Sequence, residues 1–199
     1  TPKNAIIAFA EQEIADTSLP ILQFVLSKNK QLTYYREKLL TAEEGELADI
    51  HEHLRLLGSD SAEGRVAAIL HGLGFKQEDF TRPIHDFSGG WCMRLTLAGA
   101  LFQNSDILLL DEPSNHLDWE ATVWLESYLK KYRGTLLIIS HDKSFLNNNC
   151  EAILNFEHKK LVLYHGNYQT FQATYALKAE NLKRQIQKDE EKRAHLQAF

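Results

Sequence analysis

The run Ile107-Leu108-Leu109-Leu110-Asp111-Glu112-Pro113 constrains this chain more than any other segment. Four consecutive apolar residues, without polar alternation, suit a central strand of a sheet covered on both faces. Two carboxylates follow at its C-terminal end, where open α/β sheets place their ligand sites. Adjacent carboxylates repel one another, so a cation is their natural neighbour. Asp111 suits the water shell of Mg²⁺, and Glu112 suits orienting or deprotonating an attacking water. A strand that merely ends in a solvated acidic turn would show the same pattern.

Other segments supply the companions such a strand needs. Ala5 to Ala10 reads as a short buried strand, and Thr135 to Ile139 as a second continuous apolar strand. Ala152 to Phe156 and Leu161 to Tyr164 flank the polar turn Glu157-His158-Lys159-Lys160, which predicts a hairpin. Between Ser18 and Phe80 the pattern is helical. One helix is expected over Leu19 to Leu26 and another over Ala42 to Leu57, with Leu47, Ile50, Leu54 and Leu57 on one stripe. Ser61 suits the N-cap of a third, which carries Val66, Ile69, Leu70 and Leu73. Ser88 to Phe102 predicts a further helix, and Trp119 to Tyr132 another, closed by Gly134. From Tyr168 to Phe199 there is no glycine or proline, and Glu180/Arg184 and Asp189/Arg193 are spaced as i,i+4 pairs. This predicts a long exposed helix leaving the domain, with Leu182 and Ile186 as a narrow apolar seam.

Composition excludes several classes. Hydrophobic residues make up 44% and charged residues 25%, enough for a core without metal or disulfide support. The net charge of −5 and the absence of a long basic block argue against a generic nucleic-acid-binding surface. Two cysteines, Cys92 and Cys150, without CxxC spacing, suit reduced thiols in a cytoplasmic protein. No apolar run is long enough for a membrane helix.

Further candidate residues stand at element ends. Phe87-Ser88-Gly89-Gly90-Trp91 opens a helix with two glycines that expose backbone N–H groups, where a phosphate can be received. Taken alone, Ser-Gly-Gly is more often a flexible turn; here the helix it opens leads directly into the carboxylate strand. His141, in Ser140-His141-Asp142, ends the Leu136 to Ile139 strand and can reach a transferring phosphoryl group or serve as a structural hydrogen-bonder. Gln12 follows the first strand, where an amide can meet Mg²⁺ or water. His51 and His53, two apart on a helix, point to different faces and suit solvent better than metal. Trp91 and Cys92 suit packing, and Tyr34-Tyr35 suits either base stacking or packing within the helical block.

In this order the motifs resemble those of an ATP-binding cassette, over essentially the whole chain. Gln12 matches the Q-loop, Phe87 to Trp91 the signature motif, and Ile107 to Glu112 the Walker B strand. Ser114-Asn115-His116-Leu117-Asp118 matches the D-loop and His141 the switch histidine. Trp91, the run Glu-Pro-Ser-Asn-His-Leu-Asp and the charged helix after Gly166-Asn167-Tyr168 resemble the ABC-F group. The resemblance implies an α/β fold of P-loop NTPase type, mostly parallel, with an inserted helical subdomain and a long C-terminal helix. It implies a partial cassette core over 1–17 and 81–170. The helical subdomain then covers 18–80, with an arm insertion near 28–60, and the start of an interdomain linker 171–199. It implies ATP and Mg²⁺, with Glu112 and His141 catalytic, Asp111 and Gln12 toward the metal, and Ser88, Gly89, Gly90 and Asp118 toward nucleotide. Members of the group are soluble, carry two cassettes on one chain, and in bacteria act as translation factors at the ribosomal E site, near rRNA and tRNA. The helical block from 28 to 60 holds five Lys/Arg against seven Asp/Glu, so charge gives RNA contact no support there. The alternative is the ATPase subunit of a membrane transporter.

One departure stands out. Cassettes grip phosphates with a glycine-rich loop ending Gly-Lys-Ser/Thr. No glycine in this chain is followed by lysine. That loop is expected upstream of Thr1, in a longer chain, and residues 1–199 alone are expected neither to bind ATP tightly nor to turn it over.

Overall fold

The computed structural model describes residues 5–10 and 14–197. The chain divides into two units, residues 1–141 and 142–199.

The first unit is built around three parallel strands, β1 (Ile7–Phe9), β2 (Ile107–Asp111) and β3 (Thr135–Ile139), in the order β1-β2-β3. Ile7 pairs with Ile107, and Asp111 with Ile139, so the C-terminal ends of β2 and β3 are level. The Asp106 carboxylate accepts from the Ile6 N–H at 2.8 Å and fixes the entry of β1.

One sheet face, carrying Ala8, Leu108 and Leu110, is buried. The opposite face presents Ile7, Phe9, Leu137 and Ile139, each exposed. The expectation that both apolar runs are covered on both faces therefore holds only in part. β2 is central, but β3 lies at the sheet edge and alternates exposed and half-buried residues.

Among the described residues between β1 and β2 run five α-helices: α1 (Ile21–Ser27), α2 (Lys30–Thr41), α3 (Leu47–Leu56), α4 (Ala62–Gly72) and α5 (Gly89–Phe102). The helix expected over 42–57 starts only at Leu47, because Ala42 is extended (ψ 143°) and ends α2, and a turn follows. Asn29 nucleates α2 by accepting from the Leu32 N–H at 3.0 Å. Ser61 does precede α4, but its hydroxyl donates to the Gly58 carbonyl rather than capping the helix.

α5 is the spine of the unit. Leu95 through Phe102 are all buried, as expected for a helix apolar all round. It packs against α1, α4 and β1. Burying each large apolar side chain contributes about 1.5–3 kcal/mol, so this helix anchors the sheet to the helical block.

α6 (Trp119–Leu129) follows β2. It ends at Leu129, three residues earlier than expected. Gly134 does not cap it: a Cβ there would lie 2.7 Å from the Asp106 carbonyl and 2.9 Å from that of Ser105. That glycine serves the close passage of the chain into β3.

The second unit contains α7 (Lys143–Asn149), the hairpin β4 (Ala152–Glu157) and β5 (Lys160–His165), and α8 (Tyr168–Gln197). Asp142 caps α7, accepting from the Ser144 and Phe145 N–H groups. The hairpin turns at His158-Lys159, both at positive φ (47° and 66°), as a two-residue turn demands. α8 is pinned to the hairpin by Phe171 against Tyr164, and by Lys178 donating to Glu157 and Tyr164. Glu180 and Arg184 form the expected ion pair at 2.6 Å. Leu182 and Ile186 are exposed.

Candidate active site at the carboxylate strand end

The site forms where β2 and β3 end together. Asp111 closes β2 and is exposed. Glu112 leaves the strand at φ 46°, a left-handed turn that a non-glycine residue seldom takes. Its N–H still donates to the Ile139 carbonyl at 2.8 Å, so the turn is held by β3. The reversed backbone carries the carboxylate toward the end of β3. There Oε2 accepts from the His141 N–H at 3.2 Å, with the Ser140 hydroxyl at 3.5 Å.

The two carboxylate oxygens differ. Oε1 is buried and has no hydrogen-bond partner, with the His141 Nε2 3.6 Å away. The His141 ring itself is fully exposed. A buried, unsatisfied carboxylate oxygen beside an open imidazole is a receptor for a donor such as water. Glu112 and His141, predicted from separate strands, thus meet. Asp111 sits one residue before Glu112, level with Ile139.

A small cleft of about 30 Å³ adjoins these residues, lined among others by Ala10, Asp111, Glu112 and His116. That volume is about one water's share. Ala10 brings the end of β1 to the cleft; Gln12, two residues on, lies outside the described residues.

Ser88 precedes α5 in an extended conformation (ψ 163°) without a side-chain cap bond. A Cβ added at Gly89 or Gly90 would meet nothing within 4 Å. Packing inside the chain therefore does not require these glycines. They leave the N-terminus of α5 open to an approaching group.

Asp118 caps α6. Oδ1 accepts from the Ala121 N–H at 2.9 Å and Oδ2 from Arg94 at 3.0 Å. The Ala121 N–H first, and the Arg94 guanidinium second, hold its carboxyl below the usual carboxylate range. Arg94 escaped the sequence reading, although its signal was present: one charge inside an otherwise apolar helix needs partners. Trp91 packs edge-on to Phe75 at 4.9 Å and beneath Arg94. Cys92 is a packed thiol, raised by burial. His53 stacks on Tyr35 at 4.4 Å, and its Nδ1 lies 2.7 Å from the Asp49 carbonyl. Among the described residues no three His, Cys, Asp or Glu side chains converge into a metal cage. Among them, too, no helix is long and apolar enough to cross a membrane.

Strand-end carboxylates, a histidine from the neighbouring strand and a glycine-opened helix are the parts of an ATP-binding cassette. The ABC transporter family model matches residues 2–115, and a second ABC transporter model matches 154–199. The chain belongs to this family, and within it to the ABC-F group. It is 40% identical over its whole length to the "Probable ATP-binding protein YheS" of Escherichia coli (strain K12), covering 32% of that protein. It is 38% identical to "ATP-binding cassette sub-family F member 3" of Homo sapiens, again over the whole chain and 30% of the relative. The chain thus spans about a third of the length of these relatives. Two solved structures share the fold. One is an "ATP binding subunit of ABC transporter", with TM-score 0.58 and 13% identity over 80% of this chain and 58% of that one. The other is the cassette MJ0796 bound to ADP and Pi, with TM-score 0.51 and 20% identity over 81% of this chain and 63% of that one.

Proposed function

We propose that this chain is part of a tandem-cassette ABC-F ATPase that hydrolyses MgATP and acts on the ribosome, in the cytoplasm. The observation that carries the catalytic half is the Glu112–His141 pair, with one carboxylate oxygen buried and unpartnered. Glu112 Oε1 accepts a proton of the attacking water, so that the water oxygen bonds the γ-phosphorus and ADP leaves. His141 Nε2 contacts the γ-phosphate. Asp111, exposed at the end of β2, and Gln12 are the residues that would hold Mg²⁺ when it is bound with the nucleotide. The few protein ligands suit an ion that keeps several waters and shares substrate phosphates. Bound Mg²⁺ neutralises charge on the phosphates.

The open Gly89-Gly90 helix end, with Ser88, serves the nucleotide held by a second cassette of the same protein. Asp118 borders that shared nucleotide. On this reading 1–17 and 81–170 form the cassette core, 18–80 the helical subdomain with its arm, and 171–199 the beginning of the linker between cassettes. The 199 residues alone then lack a phosphate grip and are inactive.

The ribosomal assignment rests on the ABC-F membership together with α8, a long exposed helix rich in charged residues that also exposes Leu177, Leu182 and Ile186. Glu112→Gln in the full-length protein provides the test. Turnover is expected to fall by roughly 10²–10⁴-fold, the usual contribution of a general base. With ATP bound, the variant is expected to co-sediment with ribosomes. Unchanged turnover would remove the base assignment. Absence from the ribosomal pellet, with capture by a membrane fraction, would favour a transporter subunit.

A further inference from the structure

Arg94 projects from α5 and is nearly buried, with its side chain 11% exposed. Its guanidinium meets three acceptors on two separate segments. Nε donates to the His116 carbonyl at 2.7 Å. Nη1 donates to the Leu73 carbonyl at 3.0 Å and to Asp118 Oδ2 at 3.0 Å. Trp91 lies under the guanidinium at 4.7 Å, and completes the cradle. Leu73 is the C-cap residue of α4, in the helical block. His116 and Asp118 belong to the turn that follows Glu112. Within that turn the Asn115 N–H donates to the Glu112 carbonyl and the Leu117 N–H to the Ser114 carbonyl.

Gly74 fits the same arrangement. It takes φ 95°, and a Cβ there would stand 3.0 Å from Arg94 Nη1 and 3.7 Å from Trp91. The chain bends away after α4 in a conformation that leaves room for the guanidinium. The fixed fork of an arginine can serve three acceptors in this way; a lysine ammonium cannot match their directions.

We propose that Arg94 is a positioning residue that ties the glycine-opened helix and the end of α4 to the 114–118 turn, and thereby fixes Glu112 for hydrolysis. This rests on the catalytic reading of Glu112 given above. Arg94 touches no reacting atom. It sets the backbone that leaves Glu112, and a shift of the helical block at Leu73 reaches the hydrolytic carboxylate through it.

The test uses the full-length protein and four variants: Arg94→Lys, Asp118→Asn, the double variant, and Glu112→Gln as a reference. Removing the whole side chain in Arg94→Ala leaves three acceptors unserved and endangers folding. Arg94→Lys keeps the charge and most of the volume. Its kcat is expected to fall about tenfold while KM for MgATP stays within about twofold, the signature of lost transition-state geometry rather than lost binding. Amides of Asn115 and Leu117 are expected to exchange faster with solvent deuterium, with little change in β2. The double variant is expected to lose less than the product of the two single losses, because both substitutions weaken the same Arg94–Asp118 contact.

Arg94→Lys turnover within twofold of wild type, with Glu112→Gln strongly impaired, overturns this proposal alone. So does a double variant whose loss is the product of the two single losses. If Glu112→Gln turns over as fast as wild type, the catalytic reading falls, and the role of Arg94 with it.

Discussion

Gly72 ends α4 directly against the indole of Trp124 on α6. A Cβ built at Gly72 would lie 1.9 Å from Trp124 Cε2, 2.2 Å from Cδ2 and 2.4 Å from Nε1. Contact between carbons is normally about 3.5–4.0 Å, so Gly72→Ala forces a displacement of well over 1 Å. The ring has little freedom to give way, because it packs on Tyr128 with centroids 5.3 Å apart. Tyr128 is itself fixed by donating to the Leu101 carbonyl at 3.1 Å. Overpacking of this kind costs about 1–3 kcal/mol. Part is offset because alanine favours a helix over glycine by about 0.8–1 kcal/mol. A displacement of well over 1 Å places the overpacking cost in the upper half of that range, so the net cost expected is about 1–2 kcal/mol. In a chain of this size that lowers Tm by about 2–8 °C. Thermal unfolding followed by tryptophan fluorescence and far-ultraviolet circular dichroism measures it. Trp124→Leu is expected to recover much of the loss in the Gly72→Ala background, giving a non-additive pair. A Gly72→Ala protein as stable as the parent, or additive losses in the double variant, would refute the close α4–α6 approach.

Two further outcomes follow from hydrogen bonds at element ends. Asp118→Ala removes the N-cap of α6 and is expected to cost about 1 kcal/mol in chemical denaturation. Because the Asp118 carboxyl is held below its ordinary value of 3.8, its share of stability is present above that value and fades as pH falls further. In the second unit, Lys178 first and Tyr164 second hold the Glu157 carboxyl down to about 2, from an ordinary 4.5. Attachment of α8 to the hairpin is therefore fully present above about pH 4.5. It weakens as pH falls from there toward 2, read by carbon chemical shifts of Glu157, and Glu157→Gln is expected to flatten that dependence.

The strands and the Glu112–His141 pairing were legible because their signals are local. An apolar run that stops at Asp111-Glu112, and another that stops at Ser140-His141, name both the elements and the rim they share. What escaped was tertiary or weakly patterned. α2 has little apolar periodicity, and Asn29 marks its start only through a bond to the Leu32 N–H. α7 is seven residues long and rests on the Asp142 cap. Continuous apolar character in Thr135 to Ile139 suggested a central strand, but an edge strand with one exposed row carries the same letters. Gly134 read as a helix stop because spacing cannot reveal the carbonyls of Ser105 and Asp106 beside it. The lone charge of Arg94 in an apolar helix signals a need for partners, but naming them needed the fold, since they lie 21 to 24 residues away in both directions.

The central claim is that the ends of β2 and β3 face the γ-phosphate of a magnesium nucleotide. A structure of the full-length Glu112→Gln protein trapped with MgATP examines it most directly. The account predicts the γ-phosphate beside His141 and residue 112, with the Gly89 and Gly90 N–H groups touching the nucleotide of the other cassette. A nucleotide bound away from both the carboxylate strand end and the N-terminus of α5 would contradict it.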